Sequence, residues 1–327
     1  MNHCWGTQRP LALITAFVAI VSLTAACGSS SPGPKINRAP NTPAVSAAIG
    51  TPPPVPTTGA YLGAWVNPNP GHSEISQLPS FAQAIGRAPA VLSLYTSWAK
   101  PAPIAHMQAI VAHGAIPLIA WGCESTAAVI SGQDDGLITA YASALKGFGH
   151  PVLLRWFWEM NLKVPKDVNC RGSGGPAGFV AAWKHVWGIF QLAGARNVAF
   201  VWCPGIGGGL TEMDPYFPGA AYVDWIGVDG YDRTSQGQQA FANVFGAWYA
   251  AYSVYGKPLM IGETAAHPDD QAAYLAGIES SLPTQFPDIK ALIYFDAHGP
   301  DGPWELGPSG LQALSRLATN PFFSAHA

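Results

Sequence analysis

Charge is scarce in this chain of 327 residues: Asp, Glu, Lys and Arg make up 11% of it, against about 25% in an average soluble domain. The formal net charge is −3, so there is no basic surplus to meet a polyanion, and no nucleic-acid partner is expected. Cysteine is also sparse. Of the five, Cys4 and Cys27 lie in the leader, and neither a CxxC pair nor a clustered histidine accompanies the other three, which argues against a metal centre. The first apolar run leads into Asn67-Pro68-Asn69-Pro70 and not into the glycine-rich turn of a dinucleotide site. Gly205-Ile206-Gly207-Gly208-Gly209 lacks the lysine of a phosphate loop and reads as a flexible loop. The apolar run from Leu11 to Val21 falls short of the roughly 20 residues that span a bilayer.

What is present begins with a leader. A short polar start with one arginine, the apolar run and then Leu23-Thr24-Ala25-Ala26-Cys27 have the three-part build of a secretory signal. The cysteine at the cut site makes residues 1–26 resemble a bacterial lipoprotein signal, which implies a lipid on Cys27. Plain secretion and an uncleaved membrane anchor are the alternatives; each places the protein outside the cytoplasm. Residues 27–58 follow as a Pro/Ser/Ala-rich tether, with eight prolines after Cys27 and no aromatic residue. Such a stretch buries too little to offset its ordering entropy and should be extended and mobile.

Residues 59–327 suit one (β/α)8 domain, which takes about 250 residues. Trp 12, Tyr 11 and Phe 14, set against so little charge, fit a secreted protein that handles neutral, stackable ligands such as sugars. Apolar runs recur at 61–66, 91–95, 116–121, 152–157, 198–202, 225–228, 259–261 and 291–295. Between them lie alanine-rich stretches of helical period, among them 137–148, 179–192, 240–255 and 270–282. Continuous apolar strands alternating with helices imply a parallel sheet buried on both faces, and eight units imply a TIM barrel. An oxidising compartment permits a disulfide; Cys123–Cys170, on neighbouring loops, is favoured, with Cys170–Cys203 the other pairing.

Two glutamates stand at the ends of two of these runs, in Arg155-Trp156-Phe157-Trp158-Glu159-Met160-Asn161 and in Met260-Ile261-Gly262-Glu263-Thr264. Catalytic groups of such barrels sit at the strand C-termini, and two carboxylates facing one cleft suffice to cleave a glycosidic bond. The remaining exits offer Trp65, Trp121, Trp202, Asp229, Tyr231, Asp232, Phe295, Asp296 and Trp304. Aromatic faces among them could stack on sugar rings, and the carboxylates could bind hydroxyls.

The order of these segments resembles glycoside hydrolase family 26, the β-mannanases, over nearly all of residues 59 to 306. Residues 154–161 look like the family's Arg-x-x-His-Glu-Met-Asn segment, which implies Glu159 as acid/base. Residues 224–231 look like its sixth strand, which implies Tyr231 as the partner of the nucleophile, and residues 257–263 like the seventh strand, which implies Glu263 as that nucleophile. Residues 293–304 resemble the eighth strand and a following sugar-facing Trp304. Arg155, Trp158, Asn161, Trp65, Trp121, Trp202 and Asp229 complete the expected substrate-binding set. Two departures stand out: Trp158 occupies the place of the family's His, and Leu162-Lys163-Val164-Pro165-Lys166 replaces its Gly-x-Trp. The resemblance implies a retaining endo-β-glycanase with its carboxyl groups roughly 5–5.5 Å apart. Glu263 would attack and Glu159, kept protonated by its apolar setting and nearby negative charge, would serve as acid and then base. Arg155 and Tyr231 would orient the carboxylates. No metal or organic cofactor is called for, and a monomer with a polysaccharide or oligosaccharide substrate is expected, in contact with the membrane only through lipid. Mannan, glucomannan, another β-glucan, xylan and cell-envelope glycan all remain open as substrates. The alternative is a degenerate barrel that binds glycan without cleaving it.

Overall fold

A computed structural model describes residues 50–67, 69–162, 174–233, 240–299 and 302–326. The leader, most of the tether, and Lys163 to Cys170 lie outside the described residues. Eight parallel strands run in sequence order: β1 (Tyr61–Asn67), β2 (Val91–Thr96), β3 (Ile116–Trp121), β4 (Val152–Trp156), β5 (Val198–Trp202), β6 (Trp225–Asp229), β7 (Leu259–Thr264) and β8 (Ile289–Gly299). The last pairs with the first, from Tyr61 beside Ala291 to Asn67 beside Ala297. That closure makes the expected (β/α)8 barrel and leaves no open sheet edge. All eight apolar runs became strands, and the four helical stretches became helices within a few residues, as in Asp135–Phe148 and Gly175–Ala193.

Strand alternation sorts the side chains into two layers. Tyr61, Val91, Leu118, Leu153, Val201, Met260 and Ile293 fill the barrel interior. Their chain neighbours Leu62, Leu92, Ile119, Leu154, Trp202 and Ile261 face the helices. The interior is tight enough to require glycine in β1. A Cβ on Gly63 would lie 2.4 Å from Ile293 Cδ1 and 2.7 Å from the Val91 carbonyl oxygen.

The base of the barrel is closed by both ends of the described chain. Ala60 N–H donates to Phe322 O at 2.8 Å, Phe323 is buried, and Arg87 donates to the carbonyls of Phe323 and Ala325. The ordered chain also reaches further back than the composition suggested. Gly50 N–H donates to Gly149 O at 2.7 Å, Pro53 is buried, and the Tyr61 hydroxyl donates to Pro54 O at 2.8 Å. Residues 50–58, assigned above to the tether, pack on the domain because the Gly50 N–H, the Pro54 carbonyl and the Pro53 ring find partners or burial there.

Gly63→Ala should lower stability by about 1–3 kcal/mol through overpacking, read as a drop in the urea midpoint with the slope unchanged.

Candidate active site

The mouth of the barrel holds a buried charge cluster centred on Arg155 of β4. Its side chain is fully buried. Nη1 donates to both oxygens of Asp229, at 2.8 Å each, and Nη2 to Glu263 Oε1 at 2.5 Å. Inward parity on β4 and β6 brings Arg155 and Asp229 together. Glu263 would face the helices by strict alternation after Met260, but the register of β7 against β8 shifts between Ile261 and Thr264, and the carboxylate turns inward. Gly262 makes room for it: a Cβ there would lie 2.6 Å from both Asp229 Oδ1 and Cys203 Sγ.

Glu263 is held on both oxygens. Oε1 accepts from the Tyr95 hydroxyl at 2.6 Å as well as from Arg155, and Oε2 accepts from the Tyr231 hydroxyl at 2.5 Å. Burial, and then the Glu263 charge, push both phenols well above their ordinary range, so each stays a donor. Burial likewise raises Asp229, against the pull of Arg155, and its Oδ1 also accepts from the Cys203 thiol at 3.1 Å. Burial opposes the charge on Arg155, yet Asp229 and Glu263 together hold the guanidinium well above its ordinary range.

Glu159 follows β4 in a left-handed conformation, φ +52, two residues after Phe157 at φ +48. Such backbone costs about 1–3 kcal/mol per residue. It is fixed by Phe157 N–H to Trp121 O at 3.0 Å and Glu159 N–H to Cys203 O at 2.8 Å. Glu159 is half-buried and lines a cavity of about 530 Å³ with Leu162, Ile206, Tyr231 and Arg233. A second hollow, of about 320 Å³, is lined by Tyr95, Thr96, Ser97, Trp98 and Trp158. Tyr95 lines one hollow and Tyr231 the other, and Glu263, bonded to both phenols, lines neither. Negative charge on Glu159 acts on both Tyr231 and Asp229, which places the second carboxylate within electrostatic reach of the cluster.

Several expected sugar-facing residues are elsewhere. Trp121 and Trp202 have outward parity and are fully buried. Trp121 is stacked between Trp98 and Tyr141, at 4.2 and 4.0 Å, and Trp202 packs on Phe217 and Tyr252. Arg155 and Asp229 lie beneath the cleft and bind each other. Asn161 is turned away from the cleft: Nδ2 donates to Gly205 O at 2.8 Å and Oδ1 accepts from Gly205 N–H at 2.9 Å. The glycine stretch after β5 is therefore clamped at its start, with Gly205 bridged to Asp229 and Leu210–Met213 helical, where a flexible loop was expected. Trp304 is buried against Tyr231, rings 5.0 Å apart, with Arg233 over both, so it backs the phenol. Trp65 touches Tyr95 edge-on at 4.8 Å, and Trp158 meets the same ring at 5.4 Å while covering Arg155. Phe295 packs edge-on to Tyr231. Asp232 is buried and takes part in an isolated bridge to Ala266. Cys203 is free and buried, which rules out the Cys170–Cys203 pairing; the favoured Cys123–Cys170 pairing involves a residue outside the described ones. Sequence reading missed Tyr95 and Cys203. Their signal was inward parity at the ends of β2 and β5.

A closed (β/α)8 barrel with paired glutamates at its C-terminal mouth is the architecture of sugar-cleaving barrels. The solved structures it resembles are of that kind. They include the catalytic domain of a family 26 endo-β-1,4-mannanase from Bacillus sp. JAMB-750 (TM-score 0.61, 16% identity, 82% of this chain and 90% of that one). A β-mannanase from a symbiotic protist of the termite Reticulitermes speratus, complexed with gluco-manno-oligosaccharide, also matches (TM-score 0.59, 16% identity, 85% and 96%). So does a family 26 β-mannanase from Bacteroides ovatus (TM-score 0.58, 14% identity, 81% and 90%). In sequence the chain is similar to Endoglucanase H of Acetivibrio thermocellus, 28% identical over 263 residues. That match takes in 73% of this chain and 28% of the length of the relative. No protein-family model matches. The domain is thus family 26-like in fold.

Arg155→Met should cost about 3–5 kcal/mol, since it leaves two buried carboxylates without their cation; equilibrium unfolding in urea at pH 7 measures it. Asp296, on β8 away from this cluster, is pushed up to about 6 by burial. A carboxyl raised in the folded state binds its proton there before the unfolded chain does, so stability falls as pH rises from about 4 to 6. Asp296→Asn should remove that part of the slope in urea midpoints taken across this window.

Proposed function

We propose that the protein is a retaining endo-β-glycanase that hydrolyses a β-linked polysaccharide. The observation that carries this reading is the treatment of Glu263. A carboxylate gripped on both oxygens by a guanidinium and two phenols is fixed in position. That is what a nucleophile attacking an anomeric carbon needs. The two phenols that hold it each line an open hollow, which a carboxylate needed only for folding would not require. Glu159, on the strained turn after β4, reaches the larger cavity. It would donate its proton to the leaving oxygen as the bond to Glu263 forms, and then take one from water as that ester is hydrolysed. Likeness to an endoglucanase in sequence and to β-mannanases in fold supports a β-glycan substrate. Trp158, an apolar indole beside the acid in place of an imidazole, keeps the preferred sugar open among mannan, glucomannan and other β-glycans. The leader and Cys27 support a lipid-anchored or secreted protein outside the cytoplasm, and nothing in the proposed reaction requires a second subunit.

The experiment is release of reducing ends from a panel of β-linked polysaccharides by the full chain, with Glu159→Ala and Glu263→Ala alongside. At least one polymer should be cut, and each variant should lose about 10²-fold or more in kcat/KM. Proton NMR of the first product should show the β-anomer. Silence on every polymer, with one still bound, would establish a glycan-binding barrel in its place.

A further inference from the structure

Tyr95 ends β2 with its hydroxyl on the nucleophile candidate, and neither the family resemblance nor the motif around Glu263 assigns it a part. Its ring is wedged: Trp65 meets it edge-on at 4.8 Å and Trp158 at 5.4 Å. The Arg155 guanidinium lies 5.8 Å from its centroid. Its hydroxyl donates to Glu263 Oε1 at 2.6 Å and accepts from Arg155 Nη2 at 3.3 Å. Tyr231, the phenol expected at this site, grips the other oxygen. The two phenols are therefore not duplicates. One carboxylate oxygen is shared by Tyr95 and Arg155, and the other is served by Tyr231.

We infer that Tyr95 is a positioning residue for Glu263, a second phenol that fixes the Oε1 edge of the carboxylate. This rests on the reading of Glu263 as nucleophile. The chemistry is simple: a hydroxyl donating to a carboxylate stabilises the anion and loses most of that interaction when the acid is protonated. The other titratable or charged groups around the carboxylate are Arg155 and Glu159 from β4 and its exit, Cys203 after β5, and Asp229 and Tyr231 from β6. Tyr95→Phe leaves all of them in place. The aromatic wedge is kept as well, since Phe preserves the ring.

The test compares wild-type full chain with Tyr95→Phe by two readouts. In the pH profile of kcat/KM, the acid limb should move to higher pH by on the order of 1 unit, with kcat reduced more than KM is raised. Carbon-13 NMR titration of the Glu263 side chain, assigned through its loss in Glu263→Gln, should move in the same direction. Placing 3-fluorotyrosine at position 95, a stronger donor, should move that titration the opposite way, and it serves if Tyr95→Phe does not fold. An unmoved Glu263 titration in both variants would overturn the inference. A wild-type chain that cuts no polysaccharide but still shows the NMR shifts would refute the glycanase reading and leave the role of Tyr95 standing.

Discussion

One guanidinium divided between two carboxylates organises the mouth of this barrel. Arg155 gives Nη1 to Asp229 and Nη2 to Glu263, and it does so fully out of solvent. Burying such charges costs several kcal/mol per ion unless geometry and further hydrogen bonds compensate. One cation is shared by two carboxylates, of which burial raises Asp229, and neutral donors complete the cluster: the phenols of Tyr95 and Tyr231 and the thiol of Cys203. These groups come from β2, β4, β5, β7 and the two ends of the β6 turn. The cluster therefore fixes the tips of five strands relative to each other. It also dictates a glycine at position 262, where any side chain would strike the cluster.

The fold was plainly legible, because apolar runs alternating with helical stretches imply parallel strands buried on both faces, and eight such units are the number that closes a (β/α)8 barrel. The site was legible in part. Strand exits and the order of segments single out Glu159, Glu263 and Tyr231 as candidates, and the Tyr231 hydroxyl donates to Glu263. Trp121 and Trp202 also stand at strand exits, but one residue out of phase with Arg155 and Cys203. A period of two decides which face a side chain takes, and a list of strand ends ignores it. Parity read from Leu118 and Val201 would have sent both tryptophans to the helix layer. Parity alone would have failed for Glu263, whose inward turn depends on a register shift in β7 that no residue type announces. Asn161 was misread for another reason. Its partners are the backbone groups of a loop more than forty residues away, and backbone partners leave no mark in sequence.

The aromatic content was taken as a sign of ligand stacking, yet much of it is structural. Trp98, Trp121 and Tyr141 form a stack behind β3, and Trp156, Phe179 and Trp183 another behind β4. Phe157, in the turn that carries Glu159, packs on Trp156 and Phe179 of the second cluster. The left-handed residues Phe157 and Glu159 are strained, and the aromatic packing of Phe157, together with two backbone hydrogen bonds, keeps that strain from relaxing.

The ordered chain joins the barrel at its base, where Gly50 bonds the Gly149 carbonyl and Phe322 and Arg87 close the floor. The two hollows lined by Tyr95 and Tyr231 lie at the other pole. Residues 50–54 and the candidate site thus lie at opposite ends of the barrel. Packing at the floor, where Ala60 meets Phe322, and chemistry at the mouth can therefore be altered separately among the described residues.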